Sequence, residues 1–243
     1  MNDHNAAEFD VRSDDVFNRI ADRYDMLCDL FSLGIHRLWK RRMAELIASE
    51  PWHDMLDAAT GTGDVVLQLA GRSTDLSGRH IVASDFCDRM LSVARRRASA
   101  RAVAVEFRQL DAHAMPSMPD ASVDLYSMSF ALKICDREKV VAEAWRVLRP
   151  GGRLITLEAS QIVYPWLHRL YLGYMRLCMP VIGWLATGGD ASAYRYLLKG
   201  VCEFPGAEAL ARELERAGYR DVAFERITLG IVAIHSARKP TQA

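Results

Sequence analysis

The apolar positions of this chain fall into two rhythms that alternate along its length. Between Asp14 and Lys40 they recur at helical spacing: Val16, Phe17, Ile20, Tyr24, Leu27, Leu30 and Phe31, then Leu33, Ile35, Leu38 and Trp39. That predicts two amphipathic helices broken near Ser32-Leu33-Gly34, the second completed by Arg41 to Glu50 and ended by Pro51. Met55-Leu56 then reads as a short buried strand and Val65 to Ala70 as a helix. The alternation continues with strands over His80 to Asp85, Val105 to Leu110 and Val123 to Phe130. Between and after them, Met90 to Ala100 and Arg137 to Leu148 read as helices, the latter closed by the turn Arg149-Pro150-Gly151-Gly152. Arg153 to Glu158 is a fifth strand and Glu208 to Ala217 a helix closed by Gly218. Asp221 to Ile227 and Gly230 to His235 finish the chain as a strand pair joined by Thr228-Leu229. Five strands alternating with helices, then a pair, predict an α/β fold whose mostly parallel sheet has an antiparallel edge strand.

One stretch departs from this pattern. Gln161 to Ala186 is rich in Trp, Tyr, Leu and Met, but Pro165, Pro180, His168, Arg169 and Arg176 interrupt it, which disfavours a membrane span. A helical pair is expected there. It forms either ordinary core or an apolar substrate wall that touches a membrane surface. Residues 1–50 are expected to form a helical cap or lid. Residues 51–243 would be the main domain, with a helical substrate-side insertion over 161–200. The N-terminal helices either only pack on that domain or bring Tyr24 over a ligand.

Composition narrows the class. Half of the 243 residues are hydrophobic, enough for one core with appendages. Lys plus Arg and Asp plus Glu are 31 each, so the basic footprint of a nucleic-acid partner is missing. Five cysteines are scattered without a C-x-x-C pair, as reduced thiols would be, and Met1 to Asp15 is polar and acidic, unlike a secretory signal. A cytoplasmic location is expected, and the scattered histidines predict no metal site.

The chemistry centres on Asp57-Ala58-Ala59-Thr60-Gly61-Thr62-Gly63-Asp64, a strand end, a tight turn and a helix start. The two glycines admit backbone angles closed to other residues, and the helix start favours a negative ligand group. No third glycine follows at the dinucleotide interval, and Asp57 would repel a diphosphate. S-adenosyl-L-methionine, which has an ammonium, a sulfonium and a carboxylate but no phosphate, fits the pattern D-x-x-x-G-x-G better. Asp85, 22 positions after Gly63, either accepts the ribose hydroxyls or caps the next helix. Phe86 is expected against the adenine face. Asp111 either accepts the adenine amino hydrogens or is a turn residue, and His113 reads as an exposed turn residue. Ala59, Met90, Ala112 and Ser127 complete the expected cofactor lining. Ser127 to Cys135, at the carboxyl end of the fourth strand, are the candidates to face the transferred group.

The order of these signals, with Leu148-Arg149-Pro150-Gly151-Gly152 before the fifth strand, resembles a class I methyltransferase, whose sheet is Rossmann-like. More specifically, the chain resembles the ubiquinone/menaquinone C-methyltransferase family. The matching blocks include Val16 to Asp25, Leu30 to Lys40, Gly61-Thr62-Gly63-Asp64, Arg146 to Leu154, Tyr194-Arg195-Tyr196-Leu197 and Gly230 to His235. The resemblance implies methyl transfer to a ring carbon of a prenylated quinol; the alternative is C- or O-methylation of a different small aromatic acceptor. It also implies a Tyr24-bearing helix that closes over the cofactor. Where the family has a glycine-leucine-arginine-asparagine run, this chain has Ala131-Leu132-Lys133-Ile134, so a point charge replaces a forked guanidinium. On the acceptor side, Lys133 is expected to hold a phenolate. Asp136 or a water would take the proton, and Tyr24 or Tyr194 would position the ring. A non-catalytic cofactor-binding module is the rival class, and peripheral membrane contact and a homodimer stay open.

Overall fold

Five strands run parallel: β1 (Asp54–Ala58), β2 (His80–Asp85), β3 (Glu106–Gln109), β4 (Val123–Ser129) and β5 (Leu148–Ala159). With β6 (Arg220–Ile227) and β7 (Val232–Arg238) they form one sheet of order β3-β2-β1-β4-β5-β7-β6. β7 is antiparallel to both of its neighbours, so the antiparallel pairing is confined to one edge region, as the sequence predicts. This is a computed structural model, and it describes residues 18, 21–72, 76, 78–187 and 192–241, the side chains of 182–187 and 192–197 excepted. The expectations at Met1 to Arg12, Val16, Phe17 and Ile20, and at the side chains of Trp184, Tyr194 and Tyr196, therefore lie outside the described residues.

Eight helices surround the sheet among the described residues: α1 (Tyr24–Ser32), α2 (His36–Ser49), α3 (Asp64–Ala70), α4 (Asp88–Ser99), α5 (Arg137–Val147), α6 (Pro165–Thr187), α7 (Ser192–Glu203) and α8 (Ala207–Arg216). Adjacent strand residues point to opposite faces, and here both faces are buried. Met55, Ile81, Leu125 and Ile155 join α2 and α3 in one core. Their neighbours Leu56, Val82, Tyr126 and Leu154 join α5 and α8 in the other. That is why the strands read as continuous apolar runs.

The break between α1 and α2 falls where expected, at Leu33 and Gly34, with φ of 51° and 76°. Two expectations are corrected. Leu148 and the turn Arg149–Gly152 belong to β5, as a bulge where pairing with β4 jumps from Val123–Leu148 to Leu125–Arg153. The bulge keeps its backbone satisfied, because the Gly151 N–H donates to the Lys239 carbonyl at 2.8 Å. Gln161 to Ala186 does not hold a helical pair. One helix, α6, runs through Pro180, and its partner is α7. Burial of Met175 and Met179 against Leu198 of α7 offsets the hydrogen bond that Pro180 cannot make. Among the described residues no helix is long and apolar enough to cross a membrane. The strand order reverses direction between β1 and β4, so a ligand crevice belongs at their carboxyl ends.

Candidate active site

The turn after β1 is held open by its own backbone. Ala59, Gly61 and Gly63 all have positive φ (50°, 57° and 82°). The Thr60 N–H donates to the Ser84 carbonyl at 2.8 Å, which pins the turn to β2. A Cβ on Gly63 would sit 3.2 Å from Ala94 Cβ, so glycine there lets α4 close on the turn. A Cβ on Gly61 would meet nothing within 4 Å, so this part of the turn faces open space.

Two buried acids sit beneath it. Asp57, 1% exposed, accepts from Ser127 Oγ at 2.5 Å and from Thr60 Oγ1 at 2.6 Å. Asp85 accepts from the Gly61 N–H at 2.8 Å and the Cys87 N–H at 2.9 Å. Burial pushes each carboxyl up to about 6, against the donors that favour the ionised form. Asp57, Ser127, Gly61 and Asp85 are thus joined around one turn, across β1, β4 and β2. Thr60 adds a hydroxyl to this network.

A third acid stands at the helix start. Asp64 is paired with Lys40 of α2 at 2.8 Å and with Arg97 of α4 at 2.6 Å. Although burial opposes it, these cations hold the Asp64 carboxyl well below the usual range. Arg97 also reaches Asp25 of α1 at 2.8 Å, and Thr62 Oγ1 donates to the same carboxylate at 2.6 Å. The N-terminal helices are therefore fastened to the glycine turn by charge. The sequence reading missed Asp25, Lys40 and Arg97. Their signal was the position of Asp25 and Asp64 directly after Tyr24 and Gly63 in the matched blocks. Four carboxylates, Asp57, Asp85, Asp64 and Asp25, crowd the turn while Lys40 and Arg97 are already paired with the last two, so the donor set suits a cationic, phosphate-free ligand.

Tyr24 packs, as Phe86 and Ile134 do, against a small buried cluster of Ala21, Leu27, Cys87 and Met90. The Cys28 thiol beside it, then burial, hold its phenol protonated. Ala59 packs against the core that holds Ala112. Asp111 is exposed and forms a short turn with Ala114; its Oδ1 receives the His113 N–H at 2.9 Å and pairs with His113 Nδ1 at 2.7 Å. His113 is half-buried rather than exposed. Its Nε2 accepts from the Asp136 N–H at 3.0 Å, so Nδ1 carries the proton.

On the acceptor side, Leu132–Ile134 form a 3₁₀ turn after β4. The Lys133 ammonium, 8% exposed, donates to the Phe130 carbonyl, lies 5.1 Å from the Phe130 ring centroid and pairs with Glu158 at 3.5 Å. Phe130 itself has a φ of 57°, an unusual conformation for an aromatic residue. Glu158 is fully buried, and its Oε1 has no partner among the described residues. Burial pushes its carboxyl up and Lys133 opposes that shift. Asp136 is not drawn to Lys133. It caps α5 through the Lys139 N–H at 3.3 Å, and against some burial that N–H and the Lys139 ammonium hold its carboxyl below the usual range. Glu158 was not singled out from sequence, because its partner is 25 positions away.

Comparison with known proteins agrees in family and fold. Residues 5–239 match the ubiE/COQ5 methyltransferase family. The ubiquinone/menaquinone biosynthesis C-methyltransferase UbiE of Acidiphilium cryptum is 39% identical over 91% of this chain and 88% of its own. The demethylmenaquinone methyltransferase of Thermus thermophilus is 39% identical over 93% of this chain and all of its own. Among solved structures, a SAM-dependent methyltransferase of Thermotoga maritima, titled a possible histamine N-methyltransferase, superposes with a TM-score of 0.64 at 18% identity. It covers 93% of this chain and 99% of its own, which establishes the fold.

Proposed function

The chain belongs to the ubiE/COQ5 methyltransferase family, and on that premise we propose that it methylates a ring carbon of a polyprenylated quinol in ubiquinone or menaquinone biosynthesis. It is an S-adenosylmethionine-dependent methyltransferase. When bound, S-adenosyl-L-methionine supplies an electrophilic methyl group. The acids at the glycine turn fit that ligand. In this reading Asp85 accepts the ribose hydroxyls and Asp111 the adenine amino hydrogens. Ala59, Phe86, Met90 and Ala112 line the base, and Asp57 with Ser127 fixes the turn. Residues 1–50 act as the lid, with Tyr24 as its inner surface.

Lys133 does the work on the acceptor. A ring carbon becomes nucleophilic once an adjacent hydroxyl loses its proton, so a cation that holds the phenolate lowers the barrier. Glu158 fixes the ammonium in a site with little water, where its charge is felt strongly. Water, rather than the capped Asp136, takes the proton. Tyr24 positions the ring, with Tyr194 as the second candidate. The observation that carries this reading is the buried Lys133–Glu158 pair at the carboxyl end of β4. A different small aromatic acceptor is favoured by one feature. Ile134 stands where the family has an amide, and it packs with Tyr24 and Phe86.

The test is incubation with methyl-labelled S-adenosylmethionine and a panel of demethylated quinols and simple phenols, with products identified by mass spectrometry. A methyl on a ring carbon of a prenylated quinol is expected. Lys133→Ala should lower kcat about 100-fold with cofactor affinity unchanged. A methyl on oxygen, or full turnover in Lys133→Ala, overturns the reading.

A further inference from the structure

Among the described residues, the large hydrophobic side chains left in solvent concentrate on two stretches of chain. One is α6, where Trp166, Leu170, Tyr174, Leu177 and Val181 are between 45 and 71% exposed. Their spacing of four, four, three and four residues puts them on a single stripe of the helix, about 22 Å long. The opposite stripe is occupied, because Met175 and Met179 pack on Leu198 of α7 and Phe31 of α1. The second stretch is the corner between α1 and α2, where Leu33 and Leu38 stand in solvent. α1 packs directly on α6. Apolar surface concentrated in this way marks a face that meets a partner.

Charge selects the partner. From Ala159 to Gly189 the chain has no acidic residue, while Arg169 and Arg176 stand exposed on one shoulder of the stripe. At the neighbouring corner Asp29 is neutralised by Arg37 at 2.6 Å. On α7, the exposed Lys199 and Glu203 offset one another. A second copy of this face would offer the two arginines no acid on α6 to receive them, which disfavours a symmetric pairing. Trp and Tyr beside Leu, with arginines at the margin, suit the boundary between lipid headgroups and acyl chains. α6 is not long and apolar enough to span a bilayer, so any contact with one is along its surface. Behind it, α7 leans on the acceptor turn: a Cβ on Gly200 would come within 2.9 Å of the Lys133 carbonyl.

We propose that α6 and the α1–α2 corner dock on the surface of an anionic phospholipid bilayer, and that the acceptor's polyprenyl tail reaches the Lys133 site from there. The second half rests on the quinol reading above; the docking itself does not.

Flotation of the full chain with phosphatidylcholine vesicles containing phosphatidylglycerol tests this. The protein should float with them, float about tenfold less with phosphatidylcholine alone, and be released as salt rises. Leu170→Glu with Leu177→Glu should abolish flotation without moving the unfolding midpoint. Leu229→Glu, at an exposed leucine outside both stretches, should float like the parent. Arg169→Gln with Arg176→Gln should lose the preference for anionic vesicles, which checks the face with a second, milder change. Equal flotation of parent and Leu170→Glu/Leu177→Glu protein overturns the proposal. So does a parent that stays in solution as a dimer which the same pair of changes splits. Methyl transfer to a tail-less quinol in free solution reads the reaction alone. It should be the same in parent and docking variants, whatever the vesicles show.

Discussion

Asp57 and Asp85 show what the glycine turn costs the protein that builds it. Each carboxyl is pushed by burial from 3.8 up to about 6. A group that holds its proton better when folded contributes stability that is lost as pH rises from the unfolded pKa to the folded one. For each acid that window runs from about 4 to 6, and two pKa units correspond to about 3 kcal/mol as an upper figure. His36 and His235, whose pKa values burial lowers, change stability in the opposite sense over nearby pH. A comparison of variant with parent cancels them. Asp57→Asn keeps the shape beneath the turn and removes the buried charge. Its stability relative to the parent should rise by about 1–3 kcal/mol between pH 4.5 and 7, measured by thermal unfolding. A gap that does not change with pH would mean that Asp57 is not the acid being titrated. The roles proposed for these residues were legible because the signal is local: an acid, two glycines and a second acid after the next strand. The hydroxyl partners were not, since Ser127 meets Asp57 across 70 positions.

Among the elements, the attachment of α1 to the glycine turn is the least expected feature. Apolar spacing showed two helices with a break, and both were found. Their docking was invisible, because Asp25 meets Thr62 and Arg97 only once the sheet has folded. The same limit applies to α6. A helical pair was expected where one helix runs through Pro180, and packing on α7 is what carries it through. The attachment makes a sharp prediction. Asp25→Asn leaves the Lys40–Asp64 pair of α2 intact while removing the charge that ties α1 to Arg97. Amide exchange in residues 24–32 should quicken about tenfold, equivalent to 1.4 kcal/mol of local opening, with α2 unaffected. If the cap closes on the cofactor, affinity for S-adenosylmethionine should fall in parallel. Uniform quickening across both helices would show that they move as one body.

For the molecule as a whole, the two helices before β1 differ in how they are built in. α2 gives Met43, Ala44 and Ile47, all fully buried, to the same core as Met55, Val65 and Leu125. α1 gives Leu27 to a small cluster with Cys87 and Met90. A core shared by α2 and the sheet cannot melt in parts, so its loss must be felt everywhere. Met43→Ala should therefore cost about 2–5 kcal/mol and lower the midpoint of a single cooperative transition by roughly 4–20 °C. Leu27→Ala removes a side chain of similar size from the satellite cluster. Its cost should fall in local opening of α1 and in cofactor affinity, with the global midpoint nearly unmoved. Calorimetry of both variants, with and without S-adenosylmethionine, separates the cases. A second transition in Met43→Ala would mean that the N-terminal segment folds by itself. A large midpoint shift in Leu27→Ala would make α1 part of the core rather than its cover.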